Sequence, residues 1–209
     1  MKFEEMTVGA FIDELASNSP APGGGSVAAL CGSLASGLTS MVGSLTVGKE
    51  KYKDNWESMD KVFKESEALR AEFVRLMNED TDSFNLFMAA MKMPKESDSE
   101  KAARKAAMAE AAKTATEVPL RTLEACASAA KLACEAAQYG NPNAASDAGS
   151  AALLADAAGK AASYNVRINL PGVKDEQFAA ECRARMAKAL EKIAAYSEKT
   201  AALMDKALG

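Results

Sequence analysis

Apolar residues recur along this chain at spacings of three and four residues, which is typical of amphipathic helices. The clearest example is the segment from about residue 54 to residue 91, where one predicted face carries Trp56, Met59, Phe63, Leu69, Phe73, Met77, Phe84, Phe87 and Met91. A period near 3.6 residues places such side chains on one side of an α-helix. No segment alternates apolar and polar residues for more than a few positions, so the pattern predicts helices and no sheet.

The same pattern predicts an all-α fold, a compact bundle of five to six helices. The predicted helices cover approximately residues 3–18, 26–48, 54–91, 97–139, 144–165 and 174–208. Ser26 is expected to cap the second helix, and Ser97 with Glu100 forms a capping box at the start of the fourth. Pro119 is expected either to kink or to divide the fourth helix. A chain of 209 residues can bury one core, so residues 1–209 are predicted to form a single domain.

The segment between Leu15 and Gly48 contains no charged residue. Its apolar part is long enough to span a membrane, but six serine and threonine residues between Val27 and Val47 make it only weakly hydrophobic. A buried central helix of small residues is therefore the preferred interpretation, and no membrane association is expected. Because one small domain can hardly surround a helix on every side, a homo-oligomeric interface is expected to complete its burial.

Charge and cysteine content restrict the class of protein. The net charge of −4 argues against nucleic-acid binding, and the acidic residues among the first five positions argue against a secretory signal. The four cysteines form no CxxC pair, so a reducing cytoplasmic location is expected. The chain has no histidine, which excludes Ser-His-Asp and Cys-His catalysis and a histidine-bound zinc ion. Acid–base chemistry must therefore come from Asp, Glu, Lys, Tyr or Cys.

A glycine-rich loop opens the uncharged segment. It runs from Pro20 to Ser26 and contains three consecutive glycines, Gly23, Gly24 and Gly25. Glycines let main-chain N–H groups converge on an anionic or polar group, and the start of a helix adds further unpaired donors. The spacing of a nucleotide-binding P-loop is absent, and no strand is predicted before the loop. A tight turn between helices is the structural alternative.

Asp80 interrupts the apolar face of the third predicted helix. It follows Met77 and precedes Phe84 at helical spacing, whereas Glu79 and Asp82 point elsewhere. A carboxyl group on an apolar face is costly unless it is paired or functional, and burial raises its pKa. Asp80 is therefore a candidate for acid–base catalysis. Pairing with a buried Lys or Arg is the structural alternative.

Three further charged residues are weaker candidates. Asp147 lies near the start of an alanine-rich helix, where small neighbours leave room for a ligand, although an acidic residue there is also an ordinary helix-capping residue. Lys49 ends the uncharged segment and could receive an anionic ligand. Arg167, between Asn165 and Asn169, could do the same.

Eight short motifs follow one another along the chain: residues 11–17 (FIDELAS), 20–26 (PAPGGGS), 45–52 (LTVGKEKY), 79–84 (EDTDSF), 92–95 (KMPK), 113–120 (KTATEVPL), 143–149 (NAASDAG) and 165–170 (NVRINL). Taken together, they resemble the cyclodeaminase family. That family comprises the C-terminal domain of formimidoyltransferase-cyclodeaminase and free-standing bacterial relatives, which include methenyltetrahydrofolate cyclohydrolase. The resemblance covers nearly the whole chain.

The resemblance implies an all-α fold, a homodimer and a tetrahydrofolate derivative as substrate, with polyglutamylation of that folate left open. It implies no cofactor, no metal and no nucleotide. The family's catalytic aspartate falls on Asp80, and Asp147 is expected to be its partner or orienting group. The substrate-binding residues expected from the motifs are Pro22, Gly23, Gly24, Gly25, Ser26, Lys49, Ser146, Asn165, Arg167 and Asn169.

Two reactions at the 5,10-methenyl bridge carbon fit this resemblance. A cyclodeaminase closes 5-formimidoyltetrahydrofolate to the methenyl form and releases ammonia, whereas a cyclohydrolase hydrolyses the methenyl form to 10-formyltetrahydrofolate. Both need proton transfer at one carbon between two nitrogens, which a single carboxylate can supply. The choice between them stays open at this point, and a non-catalytic folate-binding or scaffold protein is the alternative.

Overall fold

Six α-helices joined by short 3₁₀ turns account for most of the chain in the computed structural model, which describes residues 2–209. The helices are α1 (Val8–Leu15), α2 (Gly24–Ser44), α3 (Trp56–Met91), α4 (Asp98–Tyr139), α5 (Ala145–Asn169) and α6 (Glu176–Leu208). The 3₁₀ turns are Phe3–Glu5, Glu50–Asn55, Pro142–Ala144 and Leu170–Gly172. No strand occurs between residues 2 and 209, so the predicted all-α bundle is confirmed.

Helix α4 is the element that packs against most of the others, with α2, α3, α5 and α6 as its neighbours. The main core lies around it and contains the fully buried side chains of Phe73, Leu76, Leu120, Leu123 and Ile193. Many of the remaining core positions in α4 and α5 are alanines. Because alanine side chains are short, α4 and α5 can approach each other closely. Only a few large side chains lie between them.

Helix α2 is the predicted uncharged helix of small residues. It packs between α3 and α5, and two of its hydroxyl groups bond back to its own main chain, Ser36 Oγ to the Gly32 carbonyl (2.9 Å) and Thr39 Oγ1 to the Ala35 carbonyl (2.9 Å). Others, such as Ser40 Oγ to Glu67 Oε1 (2.7 Å), donate to α3. These bonds satisfy polar side chains inside an apolar core. By length and composition α2 could also cross a membrane, but 61% of its most apolar window is buried within the bundle.

Several predicted helix limits differ from those observed. The first predicted helix, 3–18, is instead a 3₁₀ turn followed by the shorter α1, which begins after Thr7 because the Thr7 hydroxyl accepts a hydrogen bond from the Ala10 amide (3.1 Å). Ser26 does not cap α2, which already begins at Gly24. Pro119 lies inside α4 and does not divide it. The predicted capping box of Ser97 with Glu100 is confirmed.

The structure also extends the fifth helix. It was expected to end near residue 165, but α5 continues to Asn169. As a result, residues 165–169 form the last turn of this helix. This matters for the site, since a helical turn presents residues four positions apart on the same face.

Close approach of α2 and α3 leads to a first prediction. A Cβ at Gly32 would come within 2.4 Å of the buried Phe73 ring, so Gly32→Ala is expected to lower the free energy of unfolding by about 1–3 kcal/mol. The control is Gly9→Ala in exposed α1, where nothing lies within 4 Å of an added Cβ and the change is expected to be neutral or slightly stabilising. Chemical denaturation measures both, and a Gly32→Ala protein as stable as wild type would contradict this packing.

Candidate active site

A cavity of 390 Å³ lies at the end of the bundle where α2 begins and α5 ends. This volume is within the range of small-molecule sites. Its walls come from the glycine-rich loop, α3, α4, α5 and the turn that follows α5. The lining residues are Pro20, Ala21, Gly23, Gly24, Gly25, Asp80, Thr81, Ser83, Phe84, Phe87, Ala112, Ala115, Asn165, Ile168, Asn169 and Gly172.

The carboxyl group of Asp80, on α3, lies against the first turn of α2. A Cβ at Gly25 would fall 2.1 Å from Asp80 Oδ1, so the carboxyl group occupies the space that any side chain at this position would need. The Ser26 hydroxyl lies 3.0 Å from Asp80 Oδ2. The first turn of a helix also carries unpaired N–H groups and the positive end of the helix dipole. The anion that faces the glycine-rich loop in this structure is therefore the protein's own carboxylate.

The environment of Asp80 acts on its pKa in two opposing directions. Burial is the larger influence and raises the pKa of Asp80 above its ordinary value of 3.8, because the charged form is poorly solvated. The hydroxyl and the main-chain amide of Ser26 act the other way, since both favour the ionised form. Asp80 is the one titratable side chain among the described residues that line the cavity. A group held in this balance is suited to accepting and returning a proton.

The other walls offer flat apolar surfaces and amide groups. Phe84 and Phe87, on the same face of α3 as Asp80, provide aromatic surface for a planar ring. Asn165 donates from Nδ2 to the Ala161 carbonyl (3.0 Å), and Asn169 donates from Nδ2 to the Ala115 carbonyl (2.6 Å). These bonds hold the two amides in place. Their Oδ1 atoms are then available as hydrogen-bond acceptors for a ligand.

Six of the predicted site residues line this one cavity: Gly23, Gly24, Gly25, Asp80, Asn165 and Asn169. Three others lie nearby without lining it. Pro22 and Ser26 are buried behind the loop, where Ser26 faces α3 rather than the cavity. Arg167 is exposed, because two residues along a helix rotate the side chain by about 200° away from the face of Asn165.

Three predicted residues lie at the opposite end of the bundle. Asp147 is in the first turn of α5, so it is roughly 27 Å along that helix from Asn165 at 1.5 Å per residue. Ser146 lines a different groove, between α5 and α6. Lys49 follows the C-terminal end of α2, whereas the cavity is at its N-terminal end. The expected pairing of Asp147 with Asp80 is therefore not made within one chain.

Hydrogen bonds explain why the motif around Lys49 lies where it does. The Asn141 amide donates to Thr46 Oγ1 (2.8 Å), and the Tyr52 hydroxyl donates to Asn141 Oδ1 (2.8 Å). These contacts tie the segment after α2 to the connection between α4 and α5. Lys49 itself is exposed, and its carbonyl accepts a bond from Trp56 Nε1 (3.0 Å).

Several residues that line the cavity were not predicted from the sequence to belong to a site. Phe84 and Phe87 were assigned to the apolar core, but both are only partly buried and line the cavity. Thr81 and Ser83 were not singled out at all. Ser83 and Phe84 lie three and four positions after Asp80, which makes them its neighbours on the helix surface; Phe87 lies one turn further along the same face, and Thr81 is adjacent in sequence. That proximity to a candidate catalytic residue was the available signal.

The contact between Gly25 and Asp80 can be tested by adding one methyl group. Gly25→Ala is expected to displace the carboxyl group and to lower the free energy of unfolding by about 1–3 kcal/mol, as overpacking of a buried contact does. Gly24→Ala is the matched control, since its Cβ would lie 3.5 Å from Asn165 Nδ2, an ordinary contact. Thermal denaturation compares the two. Equal stability of the two variants would contradict the arrangement described here.

Comparison with known proteins places this chain in a family. The family model described as formiminotransferase-cyclodeaminase matches residues 7–188. A methenyltetrahydrofolate cyclohydrolase from Methylorubrum extorquens is 43% identical over 175 residues, which cover 84% of each chain. A formimidoyltransferase-cyclodeaminase from Sus scrofa is 35% identical over 181 residues, which are 87% of this chain but only 34% of that protein.

The fold gives the same result. The crystal structure of a formiminotetrahydrofolate cyclodeaminase from Thermotoga maritima superimposes with a TM-score of 0.89 and 27% sequence identity, over 99% of both chains. The predicted resemblance is thus confirmed by sequence and by structure. This chain belongs to the formiminotransferase-cyclodeaminase family.

Proposed function

We propose that this protein is a tetrahydrofolate enzyme that hydrolyses the 5,10-methenyl bridge to give 10-formyltetrahydrofolate. The observation that carries the proposal is the position of Asp80: one carboxyl group, raised in pKa by burial, on the wall of a cavity of 390 Å³ that has aromatic surface beside it. The relative that matches 84% of both chains is named as a methenyltetrahydrofolate cyclohydrolase, which supports this direction of the reaction.

In the proposed mechanism, Asp80 acts first as a base. The ionised carboxylate takes a proton from a water molecule as the water oxygen bonds to the bridge carbon between N5 and N10. The resulting tetrahedral intermediate carries a hydroxyl group on that carbon. Asp80 then returns its proton to N5 as the bond between N5 and the carbon breaks. The hydroxyl proton leaves to solvent, and the remaining C=O is the formyl group on N10.

The proposed binding mode uses the remaining walls. The pterin ring is expected to lie along Phe84 and Phe87, and its N–H groups are expected to donate to the amide oxygens of Asn165 and Asn169. Every step of the proposal is carried by side chains and water, so it includes no cofactor or metal. The glutamate tail would extend from the cavity mouth, and the proposal accommodates a polyglutamylated folate.

Cyclodeaminase activity is the second candidate. It is favoured by the full-length likeness to the Thermotoga maritima enzyme, which is named as a cyclodeaminase. In that reaction N10 attacks the formimidoyl carbon on N5, and the amino group leaves as ammonia. Asp80 would remove the N10 proton and then protonate the leaving amine. Both reactions therefore use the same carboxylate. A non-catalytic folate-binding protein would catalyse neither reaction.

The first prediction of this proposal concerns Asp80→Asn. Because an amide cannot accept the proton, turnover is expected to fall by at least about a hundredfold, the lower range of general-base contributions. The measurement is the absorbance of the methenyl group. A cyclohydrolase lowers this absorbance with 5,10-methenyltetrahydrofolate as substrate, and a cyclodeaminase raises it with 5-formimidoyltetrahydrofolate. The substrate that responds identifies the reaction. Near-wild-type turnover of a folded variant would contradict the proposal, and folate binding without turnover by the wild type would favour a binding protein.

Stability provides the control for folding of this variant. Since burial raises the pKa of Asp80 in the folded state, the ionised form destabilises the fold, and this cost is absent below the pKa of the unfolded chain and grows as the pH rises. Asp80→Asn is therefore expected to be at least as stable as wild type at pH 7. Any gain in the free energy of unfolding over wild type should shrink as the pH falls towards 3.8. Chemical denaturation of both proteins at pH 7 and at a pH close to 3.8 measures this difference.

We further propose that two copies of the chain form a homodimer through α2 and α5. The outward face of α2 carries Leu34 and Met41 with 53% and 39% of their surface exposed, and that of α5 carries Leu153 and Ile168 with 73% and 78% exposed. The two helices are adjacent, and α2 contributes no charge to this face. An apolar surface of this kind fits a second copy of itself about a two-fold axis.

Antiparallel pairing of the two copies would explain the separated site residues. Helices α2 and α5 run in opposite directions, since Gly24 lies beside Asn165. A two-fold axis across their middle would bring the Lys49 and Asp147 end of one copy to the Asp80 end of the other. Lys49, Ser146 and Asp147 of one copy could then contact a substrate bound at Asp80 of the other, whereas Arg167 already lies at the Asp80 end of its own chain. Lys49 is suited to the anionic glutamate tail.

A hybrid dimer tests this arrangement. Asp80→Asn and Asp147→Asn are each expected to reduce turnover as homodimers. A hybrid of one Asp80→Asn chain and one Asp147→Asn chain is purified by two different tags. If each site combines Asp80 of one chain with Asp147 of the other, one site of the hybrid has both substitutions and the other has neither. The hybrid should therefore recover about half of the wild-type activity. Light scattering on the wild type should give twice the 21.9 kDa of one chain. A hybrid as inactive as its parents, or a monomeric wild type, would contradict the shared site.

The proposal includes a cytoplasmic location, which the cysteines support. Cys31, Cys126, Cys134 and Cys182 are all free thiols. Three of them are buried in the bundle, where they pack as small apolar side chains. Free thiols of this kind are usual in reducing compartments.

A further inference from the structure

Ser26 has more hydrogen-bond neighbours than its single proton can serve. Its Oγ lies 3.0 Å from Asp80 Oδ2, 3.0 Å from the Met77 carbonyl oxygen and 3.3 Å from Thr81 Oγ1. The side chain is fully buried. A hydroxyl group donates one hydrogen bond and accepts up to two, so its proton can point to only one of these oxygens at a time.

We propose that Ser26 is a positioning residue that lets Asp80 gain and lose its proton without moving. When Asp80 is ionised, the Ser26 hydroxyl donates to Oδ2. When Asp80 is protonated on its other oxygen, which is free to serve the substrate, Oδ2 becomes an uncharged acceptor and the Ser26 proton turns to the Met77 carbonyl. This inference rests on the proposed role of Asp80 as base and then acid. It adds to that role the device that holds the carboxyl group through both steps.

The heavy-atom geometry supports the same contacts in both protonation states. The Met77 carbonyl lies within α3 and has its own helical hydrogen bond to the main chain, so it loses little when Ser26 turns away. On the other side, the carboxyl group lies in the space left by the absent side chain of Gly25, close to the main chain of α2. Only one hydroxyl rotation separates the two states. Sites that stay fixed while charge changes need little reorganisation, which is favourable for proton transfer.

The charged groups near Asp80 on the neighbouring elements are engaged elsewhere. On α3, Glu79 pairs with Arg121 (2.8 Å) and with Arg75, and Asp82 is exposed. On α4, Lys113 pairs with Asp175 (2.8 Å) and Glu117 with Arg185 (2.8 Å). On α5, Arg167 is exposed, and α2 has no charged residue. Within the described chain, the side chain that hydrogen-bonds to the Asp80 carboxyl group and responds to its charge is therefore that of Ser26.

The test is Ser26→Ala, with Ser36→Ala as the matched control. Ser36 is also a buried serine of α2, but its hydroxyl bonds to the Gly32 carbonyl within the helix. Loss of the Ser26 bond to the ionised carboxylate raises the pKa of Asp80, so the acidic limb of the pH–rate profile should move to higher pH. On that limb kcat should fall about tenfold, the equivalent of one hydrogen bond to a charged group, with KM nearly unchanged. Ser36→Ala should leave the limb where it is.

A second measurement and a second variant separate the possible failures. Titration of the Asp80 carboxyl by NMR without substrate should show the same displacement, independent of turnover. If Ser26→Ala does not fold, Ser26→Cys keeps the volume with a weaker donor and should move the limb in the same direction. An unmoved limb and an unmoved titration would overturn the role of Ser26. An active Asp80→Asn protein would instead overturn the proposed function.

Discussion

The contact between Gly25 and Asp80 is the constraint on which the site depends. The carboxyl group of α3 occupies the volume that a side chain on α2 would fill, with 2.1 Å between Oδ1 and the position of a Cβ. This contact exists because α2 and α3 are packed closely along their lengths, where Gly32 receives the Phe73 ring and Gly43 faces the main chain of Met59. The position of the carboxylate is thus a property of the interface between two helices, not of a loop.

Much of the fold was predictable because it depends on local pattern. The apolar spacing of α3 and the alanine content of α4 and α5 identify helices directly, and Ser97 and Glu100 mark the start of α4. The start of the first predicted helix was harder to predict, since the Thr7 hydroxyl caps a helix that begins only at Val8. The end of α5 was predicted near Asn165, four residues too early, and a contact with α4, from Asn169 Nδ2 to the Ala115 carbonyl, lies in the last turn that the prediction left out.

The site was predictable to the extent that helical periodicity reports burial. Asp80 could be distinguished from Glu79 and Asp82 because it alone lies on the apolar face. Periodicity cannot report which helix lies opposite that face, so the role of Gly25 as the carboxylate's neighbour emerged only from the packing. For the same reason, motifs at both ends of the bundle were assigned to one site, although Lys49 and Asp147 are separated from Asp80 within the chain.

The cavity has two walls of different character. On the wall made by α2 and α3, the carboxyl group of Asp80 occupies the space of a side chain at Gly25, so a substitution at Gly25 disturbs the carboxyl group directly. The wall made by α4 and α5 presents the apolar side chains of Ala112, Ala115 and Ile168, on helices other than the one that carries Asp80. Divergence within the family can therefore act on one wall and preserve the other. In evolutionary terms, a hydrolase and an ammonia-releasing enzyme can descend from one ancestor by remodelling the α4–α5 side while the proton-transfer side is inherited unchanged.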